Sequence, residues 1–314
     1  MIRITLRQLA VFEAVAREGS IVKAAGEIGL SPSAASMSLK DLEAQLGAQL
    51  FVRQGKRLML SDRGRQVREM ATSILLQVVD LGSLTAPQEL SGRLRIGAAG
   101  SLGNYLLPQL CAGFMQQYPR ISIELRVSSS MDVMERVQRM SLDLGFVGAP
   151  VNSTYLQASP WLRDSLVVCC APDNPLASRP RIMLNELARQ PWVLEKTASS
   201  ERTAFTTEAL KYVNSINVVL ETDSIEAIKR VVRQGQAVAC ISALAVEDEV
   251  RRGELAILKI PELNFTRICS LITRRNVYYS QTLQAFRTFA MAQGASTLTG
   301  PDERPSAEDI AKPC

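Results

Sequence analysis

Histidine is absent from all 314 residues, and that absence removes whole classes of chemistry. No Ser-His-Asp triad, histidine metal site or imidazole acid–base step can be built. Cysteine is sparse and unpatterned: Cys111, Cys169, Cys170, Cys240, Cys269 and Cys314 form neither CxxC nor any metal-ligand spacing. Most lie within apolar runs, as reduced core residues of a cytoplasmic protein do. A redox switch is the sharper alternative, and it needs an exposed, electropositive thiol. No apolar run reaches the roughly 18 residues of a membrane span. The N-terminus passes straight into an amphipathic helix instead of a leader. Nucleophile-elbow and phosphate-loop patterns are missing too. These absences argue against an enzyme and point to no cofactor, no metal and no membrane.

What is present divides unevenly. Net charge is +5; residues 1–65 carry ten Lys/Arg against six Asp/Glu, whereas the other 249 are nearly balanced at 26 against 25. Basic excess at one end suggests a polyanion site there, with a solvated basic face as the plainer alternative. The chain is long enough for two or three domains, and an apolar fraction of 46% supports sizeable cores.

Leu6, Leu9, Phe12, Val15 and Ala16 recur at helical spacing and give a first helix one apolar face. Ser20 can cap a second helix from Ile21 to about Ile28, in which small Ala24 and Ala25 let two helices cross closely. Gly29 ends it. Ser31 then caps a third helix whose first position is Pro32. Ala35, Leu39, Leu42 and Leu46 are expected to face inward there, and Ser33, Ser36, Met37 and Lys40 outward. Short side chains in its first turn permit approach to base edges, and a helix N-terminus favours a phosphate. Leu50 to Leu60 reads as two short strands turning at Gly55, with Arg53, Lys56 and Arg57 set against a nucleic-acid backbone. The candidate DNA-binding residues are therefore Ser31, Pro32, Ser33, Ser36, Met37, Lys40, Arg53, Lys56 and Arg57. A helical core with an ordinary charged hairpin is the alternative.

Ser61 and Asp62 cap a longer run in which Val67, Met70, Ala71, Ile74, Leu75, Val78 and Leu81 keep helical spacing. A helix of about 25 residues, roughly 37 Å long, results. Alone it cannot hide its apolar stripe, so pairing with the same helix of a second subunit is expected; packing on its own domain is the alternative. Pro87 and Gly92 mark its end. From Arg93 strands and helices alternate, which predicts a parallel sheet covered on both faces. Strands are expected at 94–99, 121–127, 142–147, 166–171, 192–194, 218–220, 237–241 and 268–273. Helices are expected at 106–118, 131–140, 200–213, 225–234 and 280–292. Two such α/β units enclose a cleft, and open α/β sheets bind ligands at their C-terminal strand ends.

The first segment resembles the winged helix-turn-helix of LysR-type transcriptional regulators. Phe12, Val15, Gly19, Ser20, Ala24, Ala25, Leu30, Ser31, Ser36, Leu42, Glu43, Leu46, Gly47, Leu50, Phe51, Arg53, Leu60 and Gly64 stand in that family's order and spacing. Met37 departs from it, standing where a basic residue is common. The α/β half resembles the family's effector-binding domain, which is similar to a periplasmic solute-binding protein. Gly97 to Pro108, Leu142 to Val147, Ala171 to Leu176, Trp192 to Phe205 and Glu221 to Gly253 carry that likeness. Together the two likenesses cover about residues 3–292. They imply a DNA-binding domain at 1–65, a dimerising linker helix at 66–92 and an effector domain at 93–295. The effector domain splits into subdomain I (93–163 and 268–295) and subdomain II (164–267). A polar, proline-bearing stretch at 296–314 is expected to be a disordered tail.

Candidate effector residues are Gly100, Ser101 and Leu102 after the first α/β strand, Ser129 after the second, Ser199 and Arg202 where the family places a serine and an arginine, and Thr222. Hydroxyls converging with a guanidinium favour a small anionic effector; helix caps and a structural ion pair are the plainer reading. The implied partners are double-stranded DNA, a small-molecule effector, a second copy or a tetramer of the chain, and RNA polymerase. Two alternatives stay open at this point. One is a cysteine-based redox sensor on the same scaffold. The other is a solute-binding α/β protein with an incidental helical domain.

Overall fold

The structure is a computed structural model that describes residues 3–54, 57–83, 90–197, 199–263 and 265–298. It divides into two compact units. The first holds the residues up to Gly92 together with Asn276–Ala285, and the second holds Arg93–Arg275 and the residues from Phe286 on.

In the first unit α1 (Leu6–Glu18), α2 (Ile21–Glu27) and α3 (Pro32–Leu46) precede the hairpin β1 (Phe51–Gln54) and β2 (Arg57–Leu60), and α4 (Asp62–Ser83) follows. Local sequence sets every boundary. Thr5 and Gln8 form a reciprocal capping box on α1, and Gly19 closes it at φ 64°. Ser20 caps α2, and Gly29 turns the chain at φ +65°. Ser31 caps α3 ahead of Pro32, and Gly47 ends it at φ 61°. Val11, Phe12, Val15, Ala24, Ala25, Ala35, Leu42 and Leu50 are fully buried in one core. Phe12 meets Phe51 edge-on at 5.5 Å, so the hairpin is tied into it. Leu46, expected inside, is 36% exposed, because it stands in the last turn of α3, where the helix runs off the core.

Helix α4 shows two faces. Ala71 and Arg68 are buried, Arg68 pairing with Glu13 of α1 at 3.3 Å. Met70, Ile74, Val78 and Leu81 are exposed on another face. Gly64, in the first turn, touches the carbonyl of Leu50, so an added Cβ would run into that oxygen. Gly64→Ala is accordingly expected to cost about 1–3 kcal/mol in urea unfolding, as overpacking does; an unchanged midpoint would contradict this.

The second unit begins with β3 (Gly92–Ala99), a π-helical turn at Leu102–Leu106, α5 (Leu107–Gln117), β4 (Ile121–Ser128), α6 (Ser130–Gln138) and β5 (Leu144–Val147). Then come β6 (Leu156–Cys170), α7 (Leu184–Leu187), β7 (Trp192–Glu195), α8 (Ser200–Ala209), β8 (Val218–Thr222), α9 (Ile225–Val232) and β9 (Ala239–Ser242). α10 (Glu247–Arg251), β10 (Ala256–Ile257) and β11 (Phe265–Arg274) follow, and α11 (Gln281–Leu298) begins within the stretch assigned to the first unit and continues into the second. α11 runs past Ala292 to Leu298; residues 299–314, which make up nearly all of the expected tail, lie outside the described residues.

The expected parallel sheet is corrected by the strand directions. β3 with β5 and β7 with β8 are parallel, but β11 pairs antiparallel with both β5 and β6, and β6 pairs antiparallel with β9 and β10. The sheet order is β10-β6-β11-β5-β3-β4, with β9 also on β6. The reason is connectivity. The chain crosses from one α/β half to the other along β6 and returns along β11, so the two crossing strands must run in opposite directions. Pro160 sits in β6 next to a register shift at Cys269/Ser270 of β11, a place where a missing N–H is tolerated. That proline hides the first half of β6 from a reading of the sequence. Among the described residues no helix is long and apolar enough to cross a membrane.

Candidate functional site

The outer face of α3 carries small side chains, Met37 and the single basic residue Lys40. Ser31, Pro32, Ser33, Met37 and Lys40 are exposed and Ser36 half-buried, while Ala35, Leu39 and Leu42 are buried. Ser31 Oγ accepts from the Ala34 N–H at 3.2 Å and lies 3.0 Å from Ser33 Oγ. Glu43, on the same helix, accepts from the N–H groups of Leu50 and Phe51 at 2.7 and 3.3 Å, which fixes the hairpin to α3. The N–H of Leu58 donates to Gly19 at 3.0 Å, anchoring the second strand to the end of α1. Arg53 is exposed on β1. Lys56 lies outside the described residues, and Arg57 is described only through its place in β2. The structure thus groups the α3 residues on one face beside a rigidly attached hairpin.

The second unit places the other nominated residues around the ends of β3, β4 and β7. A π turn follows β3 directly, with Pro108, which has no N–H to give Asn104, just after it. Gly103 in that turn packs against Val127 and Ala98, where a Cβ would come within 2.7 Å of Val127. Ser101 is fully buried and donates to Glu201 Oε1 at 2.8 Å. Leu102 is fully buried in the core. Gly100 lies near Glu195, its Cβ position 3.9 Å from Oε1. Ser129 caps α6, accepting from Asp132 N–H at 3.2 Å. Arg202 faces Glu221 at 3.4 Å, and Thr222 accepts from the Ser224 N–H at 3.2 Å. Ser101 and Ser199 are therefore brought together through Glu201; Ser129, Arg202 and Thr222 make local contacts of their own.

Four charged residues that sequence reasoning passed over organise this cleft. Arg267 on β11 donates to Asp164 Oδ2 at 2.9 and 2.7 Å, to Glu201 Oε1 at 2.6 Å and to Ser200 Oγ at 3.1 Å. Ser242 donates to Asp164 Oδ1 at 2.7 Å. Gly148 makes room for the guanidinium, since a Cβ there would stand 2.6 Å from Arg267 Nη1. Only Glu195, the one charge in the apolar strand β7, carried a local signal; Asp164 and Arg267 stand in strands that hold other polar and charged residues, so nothing local set them apart.

Electrostatics separates the carboxyls. Burial alone would raise Glu201, but the charge of Arg267 and hydrogen bonds from Ser101, Arg267 and Ser199 outweigh it and hold the group below the usual carboxylate range. No described residue forms an ion pair with Glu195; burial, then the charge of Glu201, outweighs the more distant Arg267 and pushes it up to about 8. Hydrogen counting agrees. Ser199 Oγ accepts from the N–H groups of Glu201 and Arg202, yet lies 2.8 Å from Glu195 Oε2 and 2.9 Å from Glu201 Oε2. Its single proton satisfies one carboxylate, so the other contact requires a proton on one of the two carboxyls, and the charge of Arg267 on Glu201 assigns it to Glu195. The sign of the pH effect follows. Unfolded Glu195 ionises near 4.5, whereas the folded group keeps its proton to about 8, so the group lowers stability as pH rises between these values. Glu195→Gln is expected to gain stability over the parent progressively as pH rises from 5 to 8.5, by a few kcal/mol at the upper end. Equal urea midpoints at both pH values would contradict the proton assignment.

The five described cysteines, Cys111, Cys169, Cys170, Cys240 and Cys269, are free and buried. Burial pushes their thiols up, Cys111 and Cys170 to about 11 and Cys169 and Cys269 to about 12, the reverse of what a reactive thiol needs. Cys314 lies outside the described residues.

Comparison with known proteins matches this arrangement. The bacterial regulatory helix-turn-helix protein family, lysR family, matches residues 6–65, and the LysR substrate binding domain matches residues 87–295. The chain belongs to the LysR family. It is a DNA-binding transcription regulator with an effector-binding α/β domain. The HTH-type transcriptional regulator YeiE of Escherichia coli (strain K12) is 39% identical over 283 residues, covering 90% of this regulator and 96% of its own length. The RuBisCO operon transcriptional regulator of Allochromatium vinosum is 32% identical over 296 residues, covering 93% and 97%. Among solved structures, the CcmR regulatory domain of Synechocystis PCC6803 in complex with 2-PG aligns with a TM-score of 0.60 at 30% identity, over 65% of this regulator and 98% of that domain. A full-length OxyR variant from Pseudomonas aeruginosa shares the fold, with a TM-score of 0.75 at 20% identity over 97% and 100% of the two chains.

Proposed function

We propose that the regulator binds a two-fold-related operator as a dimer, with α3 of each copy in the major groove and the β1–β2 hairpin on the flanking backbone. The observation that carries this reading is the sorted α3 surface: Ser33, Met37 and Lys40 exposed beside half-buried Ser36, over buried Ala35, Leu39 and Leu42. Ser33, Ser36, Met37 and Lys40 face base edges, while Arg53, Lys56 and Arg57 hold phosphates; Ser31 and Pro32 form the first turn of α3, which sets its N-terminus against the backbone. The exposed stripe Met70, Ile74, Val78 and Leu81 is the surface through which a second copy pairs. A small anionic effector enters the cleft bounded by Gly100, Ser101, Leu102, Ser129, Ser199, Arg202 and Thr222. Leu102 contributes backbone only, since its side chain is in the core. The complex of CcmR with 2-PG supports a small molecule in this domain. Effector binding favours one subunit arrangement over another and so changes how the DNA is held.

The roles separate by salt dependence. Arg53→Ala is expected to weaken binding to all sequences alike and to lower the slope of log K against log salt by about 1 per copy. Met37→Ala is expected to leave the slope alone and change the preferred base under that residue. A Met37→Ala protein with unchanged base preference, or an Arg53→Ala protein with an unchanged slope, would remove those residues from the interface.

A further inference from the structure

One side chain already sits where an anion is expected. Three donors converge on the Glu201 carboxylate. Ser101, at the end of β3, and Arg267, on the returning strand β11, reach Oε1 at 2.8 and 2.6 Å, and Ser199, the cap of α8, reaches Oε2 at 2.9 Å. Ser101 lies in one α/β half and Glu201 in the other, so this carboxylate bridges the cleft. A hydroxyl from each wall and a guanidinium between them is the donor set that recognises an oxyanion. The set is sealed: Ser101 is 0% and Glu201 3% exposed. Beside it, in the first turn of α8, Arg202 Nη1 is buried with no hydrogen-bond partner among the described residues.

We propose that Glu201 is an internal substitute for the effector anion, and that an oxyanion effector enters by displacing its carboxylate from Ser101, Ser199 and Arg267. Without effector, the two halves are latched to each other by the chain's own charge. A bound oxyanion inherits the three donors, and the freed Glu201 swings from the seat. Glu195 stands across Ser199 from that seat and gives it no positive charge, so an anion competes there only by replacing Glu201, never by joining it. This rests on the effector-cleft reading above, yet it fails separately: a regulator that selects its operator normally but shows none of the changes below retains its function and loses this latch.

The test is calorimetric titration of the full chain with inorganic sulfate and with inorganic phosphate at pH 7, at constant ionic strength set by chloride. Glu201→Gln, which keeps the shape and removes the competing charge, is expected to bind at least tenfold more tightly than the parent. Glu201→Asp, which withdraws the carboxylate by one methylene, is expected to give an intermediate gain, and it carries the test if the Gln variant does not fold. Adding Ser101→Ala to either variant is expected to abolish the gain. Equal affinities in parent and folded variant, or a gain that survives Ser101→Ala, would overturn the proposal.

Discussion

Arg267→Met will destabilise the α/β unit by about 3–5 kcal/mol, the cost of leaving buried carboxylates without their counter-charge. Among the described residues the Arg267 guanidinium is the cation bonded to both Asp164 and Glu201, which are 2% and 3% exposed. Asp164 is already raised by burial against the pull of Arg267 and Ser242, so losing the cation makes ionisation there dearer still. The size of the loss is a statement about the broken network, not about the worth of the intact one. A triple variant that adds Asp164→Asn and Glu201→Gln removes the stranded charges and is expected to recover much of the stability. Urea unfolding of the three proteins separates the possibilities. A loss under 1 kcal/mol in the single variant would mean that the network is solvated and is no latch.

Ser36→Asp combined with Lys40→Glu will lower affinity for a specific site by about a hundredfold or more at moderate salt, through like-charge contact with the DNA. Both residues lie on the outer face of α3, half-buried and exposed respectively, and make no contact the core needs. The thermal midpoint should therefore stay close to that of the parent, which distinguishes lost recognition from lost fold. A gel-shift titration on one fixed fragment reads the effect. Undiminished affinity in a folded double variant would show that α3 does not face the DNA.

Much of the first unit was legible because its signals are local. Ser20 and Ser31, read as caps, do cap helices within three residues, and Gly29 turns the chain in a left-handed conformation; the Thr5 cap and the ends at Gly19 and Gly47 obey the same local rules but were not read. Periodicity gave α4 as one apolar run, and the structure divides that run, with Ala71 buried and Val67 and Leu75 against the core, and Met70, Ile74, Val78 and Leu81 exposed. The second unit was harder for the opposite reason. Ser101 was picked out as a donor for a ligand, yet its partner Glu201 stands 100 positions further on, and Arg267 stands 66 beyond that. Helical spacing and capping carry no information about such pairs. The antiparallel crossing of β6 and β11 is likewise a property of how the two halves are joined, and Pro160 concealed the strand that makes it. Ser129 and Ser199 were ambiguous between cap and ligand from the start. In the structure both cap helices, and Ser199 in addition bridges two carboxyls.

The most direct test of the account is selection of genomic DNA fragments by the purified full chain, read by sequencing across a salt series. A pair of α3 helices related by a two-fold axis predicts an inverted repeat, with half-sites about one helical turn or a multiple of it apart, that persists as salt is raised. Retention without any shared sequence, fading uniformly with salt, would contradict the account and reduce the first unit to a basic surface.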